Sequence, residues 1–141
     1  MGNPPLIVDT NVLIYEAFED SEHHEEACRI VYSAESIAIP TIVIYEYVWL
    51  LTRKFKIEFP RVAEKVEQLL SEENIELLCE EFSDIVGALR IASEDRAPPS
   101  ELNDYVIISI ALRHKARIAT YDKKLSKAAS IRGLKTIPST S

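Results

Sequence analysis

Four acidic residues lie where a carboxylate could do chemistry: Asp9, Glu46, Asp104 and Asp122. Asp9 and Asp122 each follow a short apolar run that predicts a buried strand, and the carboxyl ends of parallel strands meet at one edge of a sheet. Glu46 lies within an apolar helical segment, residues 41–51, where an ionised carboxylate is costly unless it is paired or bound to a cation. Four converging carboxylates would also repel one another strongly without a cation. The pattern therefore predicts a site for a divalent metal ion.

Each of these acids also has a purely structural interpretation. Asp9 could serve only as the cap of the helix that follows it, and Asp104 and Asp122 could do no more than favour the positive N-termini of their helices. Glu46 could occupy a narrow polar stripe or pair with a distant arginine. If the four do bind a metal, oxygen-only ligands suit Mg²⁺ or Mn²⁺, since no His or Cys set suggests zinc. Such a site can activate water and bind phosphate, so the predicted reaction is hydrolysis of a phosphodiester.

Strand-like segments alternate with helical segments along the chain. Apolar runs predict strands near residues 6–8, 36–39, 74–79, 117–120 and 134–137. Helical spacing of apolar residues predicts helices near residues 10–18, 22–34, 42–55, 59–70, 84–94, 106–114 and 123–129. We expect Thr41, Ser83 and either Asn103 or Asp104 to cap three of these helices. The alternation predicts an α/β fold of three layers, α/β/α, around a central, mainly parallel sheet of four to five strands.

Composition limits the class of protein. The 141 residues are 47% hydrophobic and 28% charged, which is ordinary for one globular domain. No apolar stretch is long enough to span a membrane and the first residues lack the basic region of a signal peptide, so we expect a cytoplasmic protein. The net charge is −7, but residues 105–141 carry +7 and the first 104 residues carry −14. The basic third could attract a phosphate backbone, or its cations could simply solvate two surface helices.

The cysteines and the paired histidines give no metal signal. Cys28 and Cys79 have no Cys or His at metal-ligand spacing, so we expect both to be small buried side chains. His23 and His24 are adjacent on a predicted helix and therefore point in different directions, which favours a solvated face over a metal site.

Four segments match the motifs of a known family, in order and at compatible spacing. They are IVDTNVLI (residues 7–14), Glu46 in the helix after the second strand, NDYVIISIA (residues 103–111) and IATYDKKL (residues 118–125), in which a threonine precedes the acid by two positions. On these segments the chain resembles the PIN-domain ribonucleases, and among them the VapC-type toxins of toxin–antitoxin pairs. The resemblance extends over nearly the whole sequence and implies a single PIN-like domain over residues 1–141.

The resemblance implies an endoribonuclease that depends on Mg²⁺ or Mn²⁺ and hydrolyses RNA phosphodiester bonds. Its catalytic and metal-binding residues would be Asp9, Glu46, Asp104 and Asp122. Substrate-binding or supporting roles fall to Thr10, Asn11, Thr120, Lys123 and Lys124. Two further acids, Asp95 and Glu101, have no counterpart in the motifs and receive no role. The implied partners are an RNA substrate, a second copy of the chain in a homodimer and, for a toxin, a small antitoxin protein, with no membrane.

Other functions remain open at this point. The family also includes RNA-processing nucleases that have no antitoxin, and a non-catalytic PIN-like binding module would share the same fold. Phosphoryl-transfer enzymes of the haloacid-dehalogenase type also place an aspartate after the first strand, but they need a second one two residues later, where this chain has Asn11. Response-regulator receivers need an acidic pair near the first strand and a phospho-acceptor aspartate after a middle strand, a pattern this sequence lacks.

Overall fold

The computed structural model describes residues 3–138, in which short strands and helices alternate. The strands are β1 (Leu6–Val8), β2 (Ile37–Pro40), β3 (Ile75–Leu78), β4 (Ile118–Ala119) and β5 (Thr136–Ile137). The helices are α1 (Thr10–Ala17), α2 (His24–Ser33), α3 (Thr41–Arg53), α4 (Phe59–Leu70), α5 (Phe82–Glu94), α6 (Leu102–His114) and α7 (Lys123–Ile131), with a 3-10 turn at Pro99–Glu101 before α6.

The strands form one sheet in the order β3-β2-β1-β4-β5, and all neighbouring pairs are parallel. The chain runs outward from β1 to β2 and β3, then crosses back to add β4 and β5 on the other side of β1. Connections between neighbouring parallel strands are right-handed. Because the chain adds strands first on one side of β1 and then on the other, its helices cover both faces of the sheet. The predicted three-layer α/β/α architecture with a parallel sheet of four to five strands is confirmed.

The core lies around the middle of this sheet. Every residue of β1 and β2 is buried, as expected for central parallel strands covered on both faces. By contrast, β3 is an edge strand, and its Leu77 is exposed. Helix α6 is buried at seven consecutive positions from 105 to 111, so it shows almost no amphipathic pattern. This helix packs most extensively against α5.

Three predicted helix caps are wrong. Thr41 is the first residue of α3, and its hydroxyl hydrogen-bonds the carboxylate of Glu80, which also accepts a bond from the Ile42 backbone N–H at 2.9 Å. Glu81 replaces Ser83 as the cap of α5, in a reciprocal capping box with Asp84.

The cap of α6 was also misplaced. The helix begins at Leu102, directly after the 3-10 turn, so Asn103 and Asp104 lie inside its first turn. A cap belongs where the backbone leaves the helical region, and the 3-10 turn moves that point upstream.

Two ion pairs connect α5 to its neighbours, one to α6 and one to the end of α7. Arg113 of α6 donates from Nε and Nη2 to Asp84 of α5, at 2.8 and 2.9 Å. Burial alone would raise the pKa of the Asp84 carboxyl, but these bonds and the one from the Glu81 backbone hold that pKa below 3.8. Arg132 makes a similar bidentate pair with Asp95, at 2.7 and 3.0 Å. Asp95, which had no role in the sequence motifs, therefore joins the end of α5 to the end of α7.

Two smaller findings concern the surface. Cys79 is exposed and Cys28 is half-buried, so the expectation that both are buried is wrong for Cys79. Within residues 3–138, none of the helices combines the length and the apolar character needed to cross a membrane.

Candidate metal centre

The first and last of the four acids lie at the point in the sheet where the strand order reverses, between β1 and β4. Asp9 directly follows β1, and Asp122 comes three residues after β4, its neighbour in the sheet. Ligands of open α/β sheets bind at such switch points, outside the carboxyl ends of the strands. Both acids cap helices: Asp9 accepts a bond from the Thr10 backbone N–H at 2.8 Å, and Asp122 accepts from Lys124 at 2.9 Å. The capping role proposed as an alternative for these acids is thus real, but it uses one oxygen of each carboxylate.

Thr120 joins these two acids directly. Its hydroxyl donates to Asp9 Oδ2 at 2.7 Å and accepts a bond from the Asp122 backbone N–H at 3.0 Å. The side chain of Thr120 is buried, so the orientation of its hydroxyl is set by these partners. Asn11 adds a second link, because its Oδ1 accepts a bond from the Tyr121 N–H at 3.1 Å. The two strand ends are therefore fastened to each other by side chains, beyond the pairing of β1 with β4.

The other two acids come from helices on opposite faces of the sheet. Glu46 lies in the second turn of α3, and Asp104 lies in the first turn of α6. Both are half-buried, and both line the same cleft as Asp9 and Asp122, with a volume of about 560 Å³. The structure thus brings all four predicted acids to one cleft at the carboxyl edge of the sheet.

The carboxylates raise one another's proton affinity. Burial raises the pKa of Asp9 from 3.8 to about 6, and Glu46 and Asp122 add to this, against hydrogen bonds from Thr120 and Thr10 that lower it. Burial, followed by repulsion from Asp9, Asp122 and Glu46, raises the pKa of Asp104 to about 7. Crowding of negative charge in a partly desolvated cleft is unfavourable unless protons or cations neutralise it.

The donor set fits a hard divalent ion. All four groups are carboxylates, and oxygen ligands suit Mg²⁺ and Mn²⁺. Within residues 3–138, however, no three His, Cys, Asp or Glu side chains converge closely enough to enclose an ion by themselves. Mg²⁺ usually binds through only one or two carboxylates and retains several waters, so an open arrangement of this kind suits it better than a closed cage would.

The supporting residues are placed unequally. Thr10 and Asn11 line the cleft, whereas Thr120 acts through Asp9 beneath it. Lys123 and Lys124 are the first two residues of α7, exposed just beyond Asp122 and outside the cleft lining.

Glu101, another acid without a role in the motifs, is tied to this edge of the site. The Lys124 ammonium lies 3.5 Å from Glu101, so part of its charge is already neutralised. Glu101 also contributes to the raised pKa of Asp104.

Sequence reasoning missed half of the cleft. Beside the acids, an apolar wall is formed by side chains of α1 and by residues at and beyond the end of α3, with one cation, Lys54. The wall consists of Ile14, Tyr15, Phe18, Leu50 and Phe55. Phe18 and Phe55 stack with ring centroids 4.3 Å apart although they are distant in sequence, so no local pattern reveals the contact.

The comparison with family models identifies the fold group. A model described as the PIN domain matches residues 6–131, which is most of the chain. This protein belongs to the PIN-domain family. The match includes the segments that contain all four acids, and it confirms the resemblance inferred from the sequence motifs. A comparison with the curated proteins gives no match.

Solved structures of PIN proteins share this fold at low sequence identity. The chain is similar to VapC20 of Mycobacterium tuberculosis, a toxin that cleaves the Sarcin-Ricin loop, with a TM-score of 0.73 and 16% identity over 87% of this chain and 94% of that one. It is similar to VapBC2 of Rickettsia felis bound to a promoter DNA fragment, with a TM-score of 0.68 and 18% identity over 93% and 96%. It is also similar to PAE2754 of Pyrobaculum aerophilum, with a TM-score of 0.64 and 19% identity over 95% and 84%. At these identities the likeness establishes the fold alone.

Proposed function

We propose that this PIN-domain protein is a Mg²⁺- or Mn²⁺-dependent endoribonuclease and the toxin of a toxin–antitoxin pair. The observation that carries the proposal is the shared cleft of Asp9, Glu46, Asp104 and Asp122, in which crowding raises the pKa of Asp9 and Asp104. A purely structural set of acids would be expected to carry paired bases, as Asp84 and Asp95 do, whereas Lys54 is the one cation that lines this cleft in the described part of the chain.

The four acids would bind the metal ion and orient the attacking water. Asp9 and Asp104 would be the principal ligands of an ion that retains several waters, and Asp122 would complete the site or support a second ion recruited with the substrate. A divalent ion bound there would supply the charge that activates water and stabilises the leaving oxygen. Glu46 binds the ion or accepts a hydrogen bond from the attacking water, which orients that water toward phosphorus. The bond from the water oxygen to phosphorus forms as the bond from phosphorus to the ribose oxygen breaks. The attacking water loses a proton to solvent, and the departing oxygen takes up a proton from solvent.

Thr120 and the basic third of the chain have supporting roles. Thr120 donates to Asp9 Oδ2 and so holds that carboxylate in one orientation at the cleft. Lys123 and Lys124, exposed at the start of α7, would attract the RNA backbone toward the site. We propose that the protein acts in the cytoplasm, where such an RNA would be available to it.

Cleavage of a mixed RNA pool tests the enzyme. We expect cleavage with Mn²⁺ or Mg²⁺, none with chelator, and loss of cleavage in Asp9→Asn, Asp104→Asn and Glu46→Gln without loss of the fold by circular dichroism. Glu94→Gln is the matched control, because Glu94 is exposed at the end of α5 outside the cleft. Full activity in both aspartate variants would contradict the assignment. If Mn²⁺ neither binds nor stabilises the protein, the non-catalytic module becomes the better interpretation.

The antitoxin is tested separately from the chemistry. VapBC2 of Rickettsia felis and a VapBC of Salmonella typhimurium are described as complexes bound to DNA. We propose that a small protein encoded beside this chain's gene binds here and blocks the site. Co-expression should then yield a complex whose RNA cleavage is suppressed. If the protein cleaves RNA but no neighbouring gene encodes a protein that binds it, an RNA-processing nuclease would be the better interpretation.

A homodimer is proposed on two exposed apolar stripes. Tyr45 and Trp49 are one turn apart on α3, and Phe82, Ile85 and Leu89 have helical spacing on α5; each is at least half exposed. Contiguous exposed apolar side chains are typical of protein interfaces. Trp49 is the single tryptophan of the chain, so its emission should shift to shorter wavelength as concentration rises and dimers bury it. A monomeric mass at all concentrations by light scattering, with unshifted emission, would contradict the dimer.

A further inference from the structure

The apolar half of the acidic cleft has no role in metal binding. Ile14, Tyr15 and Phe18 come from α1, and Leu50 and Phe55 come from the end of α3 and the turn after it. None of these side chains is fully buried, so the wall they form faces the open cleft. This wall places three aromatic rings beside four carboxylates and exposes apolar surface to water. Exposed apolar surface of this kind is typical of a binding site.

The size and chemistry of the cleft fit one nucleotide. Its volume of about 560 Å³ lies within the range of sites that enclose small molecules. A nucleotide combines an anionic phosphate, which needs cations, with a flat base that packs on aromatic rings. The cleft offers the same division, with an acidic end suited to cations and an aromatic end alongside it.

Lys54 adds charge complementarity at the aromatic end. Its ammonium lies over the Phe55 ring, 5.6 Å from the ring centre, and among residues 3–138 it is the one cation that lines the cleft. A cation over an aromatic ring suits a nucleotide, since the ammonium can move to a backbone oxygen and leave that face of the ring to the base. Phe18 stacks on Phe55 at 27° between ring planes, which holds both rings in place before any ligand arrives.

We propose that this aromatic wall is a nucleobase subsite, in which Tyr15, Phe18 and Phe55 hold an unpaired base next to the scissile phosphate. This rests on the proposed nuclease function and adds to it a contact with the base. A base inside a duplex is stacked on its neighbours and cannot enter the wall, so the subsite takes a base that is unpaired and unstacked. Phe18 and Phe55 are then specificity-determining residues that contact the base and leave the reacting phosphate to the acids.

Abasic substrates test the subsite directly. An RNA oligonucleotide that the wild-type protein cuts at one bond is compared with copies that lack the base on either side of that bond. Stacking is worth enough per base that we expect kcat/KM to fall by about tenfold or more for one of the two abasic copies. Phe55→Leu should lower kcat/KM on intact RNA by a similar factor and cut intact and abasic RNA equally. Phe59→Leu, at an exposed phenylalanine outside the cleft, should behave as wild type.

The outcomes separate this proposal from the nuclease itself. Equal wild-type cleavage of intact and abasic RNA overturns the subsite, as does a Phe55→Leu protein that still discriminates between them. If Phe55→Leu lowers kcat/KM by the same factor on intact and on abasic RNA, the subsite is also overturned. The wall would then be assigned to the binding of a protein segment. If the wild-type protein cleaves no RNA, the nuclease proposal fails and the subsite proposal is decided by binding. Fluorescence anisotropy with the same RNAs in Ca²⁺ then decides the subsite, because weaker binding of abasic RNA by wild type but not by Phe55→Leu supports it and equal binding refutes it.

Discussion

Replacing Asp104 with asparagine should stabilise the metal-free protein at alkaline pH, and it should also abolish the proposed RNA cleavage. The pKa of this carboxyl rises from 3.8 to about 7 because of burial and then repulsion from Asp9, Asp122 and Glu46. A carboxyl whose pKa is higher in the folded state binds more protons folded than unfolded between these two values. Stability therefore falls as pH rises from about 4 to about 7, and the loss is complete above that range.

The size of the effect follows from the shift. A shift of about three units corresponds to about 4 kcal/mol if Asp104 acted alone, at 1.36 kcal/mol per unit. Because the group is half-buried at the cleft wall and shares its repulsion with Asp9, solvent and coupling reduce this to about 1–3 kcal/mol. For a chain of this size that is a rise of roughly 3–10 °C in the melting temperature at pH 8.

Thermal unfolding in chelator, at pH 5 and pH 8, is the assay. Asp104→Asn should melt above wild type at pH 8 and close to wild type at pH 5. With Mn²⁺ at about 100 times its dissociation constant, wild type should gain about 2.7 kcal/mol and the variant much less, which reverses the order. Asp20→Asn, at an exposed acid of the same cleft, should change little at either pH. A variant less stable than wild type at both pH values would refute the reasoning.

Three further outcomes are expected. Mn²⁺ binding near pH 6 should release about one proton, mainly from Asp104, and almost none at pH 8.5; calorimetry in buffers of different ionisation enthalpy measures this, and equal release at both pH values would contradict the raised pKa. Arg113→Met should destabilise the fold by about 3 kcal/mol in urea titration, since it leaves Asp84 buried without its partner, yet the Mn²⁺ affinity should stay unchanged. Gly87→Ala should destabilise by about 1–2 kcal/mol because its new methyl carbon would lie 2.7 Å from Ser109 Oγ. Ser109→Ala in the same chain should restore that loss, and failure to restore it would exclude the clash as the cause.

The sheet and the position of Glu46 could be predicted because each leaves a local pattern. Short apolar runs between helical segments specify parallel strands covered on both faces, and β1 and β2 are buried at every position as such strands should be. Glu46 interrupts an apolar helix, and the structure places it on the cleft wall. The same helix exposes Tyr45 and Trp49, so its apolar character reflects a free surface as well as the core.

Contacts between distant segments could not be predicted. The Phe18–Phe55 stack, the Glu80 contacts with the start of α3 and the Asp95–Arg132 pair depend on how the helices dock. The expected solvated face of the paired histidines was wrong for the same reason. His23 stacks on Tyr121 with centroids 4.4 Å apart, and both His23 and His24 are half-buried.

The Thr120 hydroxyl has a consequence for synthesis on the ribosome. It holds Asp9 across 111 positions of sequence, and it arrives with β4, the strand that covers the open side of β1. A nascent chain that ends before β4 would contain three of the four acids but would leave the central strand as a bare edge, with Asp9 unsupported. The carboxylate set is therefore assembled only after β4 and the residues up to Asp122 have been made. A translation product that ends before β4 would therefore lack the assembled site, and any activity of the cleft would begin only after Thr120 and Asp122 have been added.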